Sequence, residues 1–196
     1  MSNLLFIDTE TTGKPKDWDA PISDYNNWPR LVEVAWIVTD ENNNTITESE
    51  YIIYPKGFKI PKKAVKIHGI TTKFAKKEGN RLKAILKELK TLIKKADFII
   101  GHNIEFDTKI LGAEFYRKDI KTKLFKRKHL CTMKLSTDFC EIPGKYGYKW
   151  PSLSELHDEL FNESFDEAHN ALSDIRATRN CFWELVDHGW LRIKYL

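Results

Sequence analysis

The stretch LLFIDTETTG, residues 4–13, begins almost at the first residue as an apolar run and ends in two carboxylates and a turn. A short apolar run closed by turn residues predicts a central strand over 3–8. Strand side chains alternate with period 2, so Asp8 and Glu10 project to the same side, and the TTG that follows turns the chain away. Two anions held together at the edge of a sheet repel each other unless a cation sits between them. Acidic residues at strand ends also commonly do no more than face water, so the pair alone leaves both readings open.

Outward from this strand the pattern is a meander followed by crossovers. Residues 31–39 (LVEVAWIVT) and 45–54 (TITESEYIIY), separated by the polar DENNN, read as a β-hairpin. Residues 14–30 hold prolines, Asp/Asn and tryptophans, the composition of a long ordered loop. Over 82–96, Leu82, Ile85, Leu86, Leu89, Leu92, Ile93 and Ala96 form one helical stripe, with Lys83, Lys87, Lys90 and Lys94 on the opposite side. DFIIGH (97–102) reads as a buried strand, 103–117 as a helix and HLCTM (129–133) as a further short strand. Helices around 152–161 and 170–187 complete the chain. The order βββαβαβαα is a mixed α/β pattern in one domain, residues 1–196, with no internal repeat.

Two further acids stand out. Asp107, in HNIEFD, falls one turn into its helix on the stripe of Ile104, Ile110 and Leu111, where a carboxylate needs a partner; favourable placement at a helix N-terminus is the competing explanation. Asp174, in AHNALSD, falls on the stripe of Ala171, Leu172, Ile175 and Thr178. His169 is five residues earlier, about 140° away on an ideal helix, and shares a site with Asp174 only if it precedes the helix proper. Hard oxygen ligands without thiolates fit Mg²⁺ or Mn²⁺. No HExxH, phosphate-binding GxxxxGK[ST] or GxSxG turn occurs.

Composition narrows the field. The 196 residues are 41% hydrophobic and 31% charged, suited to one core of ordinary size. Cys131, Cys140 and Cys181, at no metal-like spacing, read as reduced thiols. With no bilayer-length apolar run and no basic n-region in MSNLLFID, the expectation is a cytoplasmic protein without a membrane partner. The net charge of +4 conceals a strong asymmetry: residues 1–54 carry 3 basic and 10 acidic side chains, 55–135 carry 23 and 7, and 136–196 carry 6 and 11. A middle third this basic fits either a polyanion partner, nucleic acid being the commonest, or a set of solvated lysine faces.

FIDTETTG, HNIEFD and AHNALSD, in this order, resemble the three exonuclease motifs of the DEDD 3′→5′ exonucleases, the DnaQ-like superfamily of ribonuclease H-like fold. The likeness runs from residue 4 to about 186 and takes in IHGIT (67–71) and LCTMKLS (130–136); the 14–30 loop is the departure. His169 five residues before Asp174 places the match in the histidine branch, DEDDh, since the tyrosine branch carries Tyr where this chain has Asn170. The resemblance implies an α/β fold with an antiparallel meander of three strands and two further parallel strands, flanked by helices.

It also implies a site. Asp8, Glu10 and Asp174 would hold the first of two Mg²⁺ or Mn²⁺ ions, and Asp8 would bridge to the second with Asp107 contributing directly or through water. His169 would act as general base. The backbone around Thr11 and Thr12, with His68, Asn103 and Phe106, would grip the terminal nucleotides, and Trp18, Tyr25 and Trp28 of the long loop would either pack or extend the stacking surface. The basic run RKDIKTKLFKRK (117–128) would either follow the phosphate backbone or be a solvated loop. The implied partner is nucleic acid with a free 3′ end, single-stranded or frayed and preferentially DNA, with a polymerase in trans if the role is proofreading. Two other functions remain open from sequence: an exoribonuclease trimming RNA or short oligoribonucleotides, and a catalytically silent nucleic-acid-binding or polymerase-accessory module.

Overall fold

A computed structural model describes residues 3–163 and 170–192. Strand β1 (Leu4–Thr11) is the centre of a five-stranded sheet. It pairs antiparallel with β2 (Leu31–Thr39), which pairs antiparallel with β3 (Thr45–Ile52). After helices α1 (Lys62–His68), α2 (Thr72–Glu78) and α3 (Leu82–Lys95), strand β4 (Phe98–Gly101) joins β1 in parallel on its other side. Helix α4 (Ile104–Arg117) and one 3₁₀ turn (Leu124–Lys126) lead to β5 (Lys128–Cys131), parallel to β4, giving the order β3-β2-β1-β4-β5. Single-turn helices α5 (Thr132–Leu135) and α6 (Thr137–Cys140) follow, then a small hairpin of β6 (Pro143–Gly144) and β7 (Gly147–Tyr148). Helices α7 (Leu153–Phe161) and α8 (Ala171–Asp187) come last.

The two faces of β1 are the key to the site. Leu5 and Ile7 are buried with Trp36, Leu86, Leu89, Ile110 and Leu111, the layer of α3 and α4. Leu4 and Phe6 are buried with Ile37, Ala171, Ile175 and Phe182, the layer of α8. The Phe6 and Phe182 rings meet edge to face at 5.5 Å. The five buried side chains of α3 remove its stripe from water, at roughly 1.5–3 kcal/mol for each, while Lys83, Lys87, Lys90 and Lys94 are exposed.

The structure differs from the sequence reading at three places. The first strand runs on to Thr11, so Glu10 lies within it and is paired across to Glu33. Helices α1 and α2 were not expected; each buries one small residue, Ala64 or Ala75, which leaves no stripe to read. The strand expected over 129–133 ends at Cys131, where two helical turns take over. Among the described residues, no helix is long and apolar enough to cross a membrane, and all three cysteines are free thiols.

Candidate active site

Strand β1 outlasts its neighbour. Its pairing with β4 ends at Phe6 opposite Ile100, so the stretch from Ile7 to Thr11 projects beyond that partner. Asp8 and Glu10 continue the α8 face that Leu4 and Phe6 begin. Helix α8 anchors Ala171 and Ile175 in the same core and thereby presents Asp174. Ligand oxygens of Asp8, Glu10 and Asp174 lie within 4.8 Å of one another.

Asp107 arrives from the opposite layer. Gly101 closes β4 so tightly that a Cβ there would lie 2.9 Å from the Ile7 carbonyl oxygen and 2.8 Å from Ile104 Cδ1. Asn103, at φ 67°, then swings the chain into α4. One turn later Asp107 is buried, and its Oδ1 accepts the Thr9 hydroxyl at 2.6 Å. Thr9 alternates with Asp8 and Glu10, so the fourth carboxylate reaches the group around the end of the sheet.

The electrostatics are those of anions crowded together, Asp107 buried and Asp8, Glu10 and Asp174 half-buried. Burial, reinforced by Asp107, Asp174, Glu10 and Glu33, raises the Asp8 carboxyl well above its ordinary range. Glu10 is pushed up to about 8 by burial and then by Asp174, Glu33 and Asp107. Asp107 is raised to about 7 by burial, against the lowering effect of hydrogen bonds from the Thr9 side chain and from backbone N–H groups. A set of hard oxygen donors so arranged fits a divalent cation of the Mg²⁺ or Mn²⁺ type.

A fifth acid, Glu33, escaped the sequence reading. It is 2% exposed, stands opposite Glu10 in the β1–β2 register, and accepts the Ala171 N–H at 3.1 Å. Burial raises it to about 7 against that hydrogen bond, and Glu50 and Asp174 add to the rise. Its signal was a lone carboxylate within the otherwise apolar LVEVAWIVT. Asn170 caps α8 by accepting the Ser173 N–H at 2.9 Å, and its amide donates to Glu50 Oε1 at 3.0 Å. The helix proper begins at Ala171; His169 lies outside the described residues.

The other expected contacts are distributed unevenly. The Thr11 hydroxyl donates to the Gly13 carbonyl at 2.6 Å, and Thr12 exchanges two hydrogen bonds with Arg30, so both side chains are committed to the turn after β1. Asn103 and Phe106 open α4 beside Asp107, and the Phe106 ring lies 5.8 Å from that of Trp18. His68 ends α1, with Nδ1 accepting the Ile70 N–H at 3.1 Å. Trp28 is buried, whereas Trp18 and Tyr25 are exposed. His102 was also missed. Its Nε2–H donates to the Pro151 carbonyl at 3.0 Å, leaving Nδ1 to accept the Thr132 hydroxyl, and burial lowers it to about 4, so it stays neutral.

The basic run divides by residue type. Arg117 donates to Glu114 and to the Tyr25 and Trp28 carbonyls, and Arg127 donates to the Lys94 carbonyl, so both arginines tie elements together. Lys121, Lys123, Lys126 and Lys128 are exposed. A cavity of about 750 Å³ lies away from the carboxylates between the starts of β2 and α3 and the end of α4, and Arg30, Lys56, Arg81, Lys83 and Lys118 line it.

Comparison with known proteins agrees with this geometry. Solved structures of E. coli Exonuclease I superimpose closely. The complex with a dT13 oligonucleotide does so with a TM-score of 0.74 at 23% identity over 95% of this chain. The zinc-ion-bound form of the E. coli ExoI–ssDNA complex gives a TM-score of 0.75 at 23% identity over 96%. In each case this chain spans 41% of the other, and that likeness establishes the fold. No curated protein matches the chain. Residues 5–182 match the RNase_T family model, described as exonuclease. Nearly the whole β1-to-α8 frame that gathers the carboxylates falls within that match, and the chain belongs to the exonuclease family.

Proposed function

We propose that this protein is a metal-dependent 3′→5′ exonuclease of the histidine branch that removes nucleoside 5′-monophosphates from single-stranded DNA. The observation that carries the reading is the convergence of Asp8, Glu10 and Asp174 within 4.8 Å, with Asp107 brought beside them from the other layer. DNA is favoured because the E. coli Exonuclease I structures of like fold hold dT13 and dA16 oligonucleotides.

Asp8, Glu10 and Asp174 would hold one cation, and Asp8 with Asp107 would contribute to holding a second. The two ions, when bound, supply the positive charge that polarises the scissile phosphate and stabilises the departing 3′ oxygen. His169 takes a proton from the attacking water, a role suited to a side chain that titrates near neutrality. As water adds to phosphorus the P–O3′ bond breaks, the departing O3′ takes a proton from solvent to become the 3′ hydroxyl of a strand one nucleotide shorter, and the nucleoside 5′-monophosphate leaves. Phe106, Asn103 and His68, with the backbone of Thr11 and Thr12, hold the terminal nucleotide.

The test is digestion of 5′-labelled DNA and RNA 20-mers in Mg²⁺, Mn²⁺ or EDTA. A ladder that shortens from the 3′ end of DNA, is abolished by EDTA and spares a circular strand is expected. Preference for RNA would transfer the assignment to the exoribonucleases of the superfamily. Equal digestion in EDTA, or cleavage of the circle, would overturn the two-ion reading. Binding without any turnover would leave a silent nucleic-acid-binding module.

A further inference from the structure

The hairpin of β6 and β7 carries an aromatic surface that the core does not use. Pro143 pairs with Tyr148 and Gly144 with Gly147, leaving Lys145 and Tyr146 as a two-residue turn. The turn depends on its glycines: Gly147 has φ +119°, and a Cβ on Gly144 would lie 2.8 Å from the Gly147 carbonyl oxygen. Tyr146 is 91% exposed, Trp150 60% and Tyr148 49%. Tyr146 stands at the tip of the turn, with Tyr148 and Trp150 at alternate positions after it, and each of the three large aromatic side chains leaves about half or more of its surface facing water. Lysines interleave with the rings: Lys145 Nζ is 5.0 Å from the Tyr146 centroid, and Lys134 Nζ is 5.5 Å from that of Trp150.

The hairpin is fastened beside the carboxylates. Pro151, next to Trp150, accepts the Nε2–H of His102, which immediately precedes Asn103 at the start of α4. Lys134, under Trp150, pairs with Glu105 at 3.5 Å in the same first turn of α4 that holds Asp107. At its base the Lys149 N–H donates to the Ile142 carbonyl, the Lys149 ammonium pairs with Glu155, and Ser152 and Glu155 cap α7 reciprocally.

We infer that Tyr146, Tyr148 and Trp150 form a stacking platform for unpaired bases of the strand whose 3′ end lies in the carboxylate site. The inference rests on the exonuclease reading for its direction and on the hairpin for its chemistry. Aromatic faces with cations between them bind bases and phosphates together and accept any base sequence. Bases in a duplex are already stacked and offer such faces no purchase, so the platform selects single strands. A protein partner is disfavoured by the lysines dispersed through so small an apolar surface.

The test compares wild type, Trp150→Phe and the triple variant Tyr146→Ala/Tyr148→Ala/Trp150→Ala as full chains with matched melting temperatures. Fluorescence anisotropy of labelled dT15 in EDTA measures binding without turnover, with the dA15–dT15 duplex as a second ligand. The triple variant should weaken dT15 at least about a hundredfold, given losses of roughly fivefold or more for each stacked base, which multiply over three rings, and leave the duplex unchanged. Trp150→Phe should bind within about threefold of wild type, and dT15 should quench tryptophan emission in the wild type more than in Trp150→Phe. In Mg²⁺, the triple variant should raise KM for the 15-mer and hydrolyse a dinucleotide within twofold of wild type. Unchanged dT15 affinity, an equal loss for the duplex, or a wild-type dimer on ultracentrifugation that the triple variant abolishes would overturn the platform. If the wild type hydrolyses neither substrate while the binding differences persist, the exonuclease reading fails and the platform stands.

Discussion

Glu33 of β2 accepts the backbone N–H of Ala171, the first residue of α8, at 3.1 Å, and both residues are buried. This bond fixes the start of the helix that presents Asp174 against the strand that lies opposite Glu10. Glu33→Gln keeps an acceptor for Ala171 and removes a negative charge from the group. Glu33→Ala leaves a buried N–H unsatisfied, a cost of about 1–3 kcal/mol. The expected result is near-wild-type stability for Glu33→Gln, with the Glu10 titration displaced downward from about 8 because one like charge has gone. Glu33→Ala should lower the melting temperature and weaken Mn²⁺ binding together. Carboxyl titration by NMR and calorimetry read both effects; an unmoved Glu10 in Glu33→Gln would show that the two acids are not coupled.

The four motif carboxylates were legible because each breaks a local rule: two acids close an apolar strand, and single acids interrupt the stripes of α4 and α8. Apolar runs, β-branched composition and helical stripes also gave β1 to β5, α3, α4, α7 and α8 to within a few residues. Glu33 broke the same kind of rule inside β2, but its partner is a backbone N–H 138 residues away, which no local pattern announces. His102 reads as a polar residue at a strand end until Pro151 and Thr132 are brought to its two ring nitrogens. The Trp18–Phe106 contact likewise depends on how the 14–30 loop folds back onto α4.

The Thr9 hydroxyl supplies Asp107 with a hydrogen bond that favours its ionised form. Thr9→Val preserves the shape and deletes the donor, so the Asp107 pKa should rise above about 7. The loss in stability should reach about 1–3 kcal/mol above pH 8, where Asp107 is ionised, and shrink toward pH 5, where it is protonated. Urea melts at the two pH values check this. A penalty independent of pH would assign the cost to packing around the hydroxyl instead.

Without a cation the site should make folding weaker as pH rises. Asp8, Glu10, Glu33 and Asp107 all titrate higher in the folded protein than ordinary carboxylates do, so the folded state binds more protons than the unfolded state above pH 4. Stability linked to these groups is fully present below the unfolded values near 4 and is lost as pH rises through about 7 and 8. The EDTA-treated protein should therefore melt at a lower temperature at pH 8 than at pH 5. Millimolar Mn²⁺ should recover more stability at pH 8, and Asp8→Asn should flatten the slope while reducing turnover by roughly a hundredfold or more. A metal-free melting temperature that rises from pH 5 to pH 8 would remove the crowded-acid account.

His169 is the residue whose role depends most on a measurement that separates proton transfer from cation binding. As general base it must be neutral, so its protonation should switch turnover off, and the rate should rise through roughly pH 6 to 8 from the ordinary histidine value. The wild-type profile cannot make the assignment by itself, because water bound to a divalent cation titrates in the same window. His169→Ala breaks the tie: Asp8, Glu10, Asp107 and Asp174 all remain, so Mn²⁺ affinity by calorimetry should stay within a few-fold of wild type. Turnover should fall by about a hundredfold or more, the size of a lost general base, and the surviving rate should no longer show the histidine limb. Added imidazole should restore part of the rate in proportion to its neutral fraction. Lost cation binding would make His169 a ligand or a structural residue, and undiminished turnover would make it a bystander.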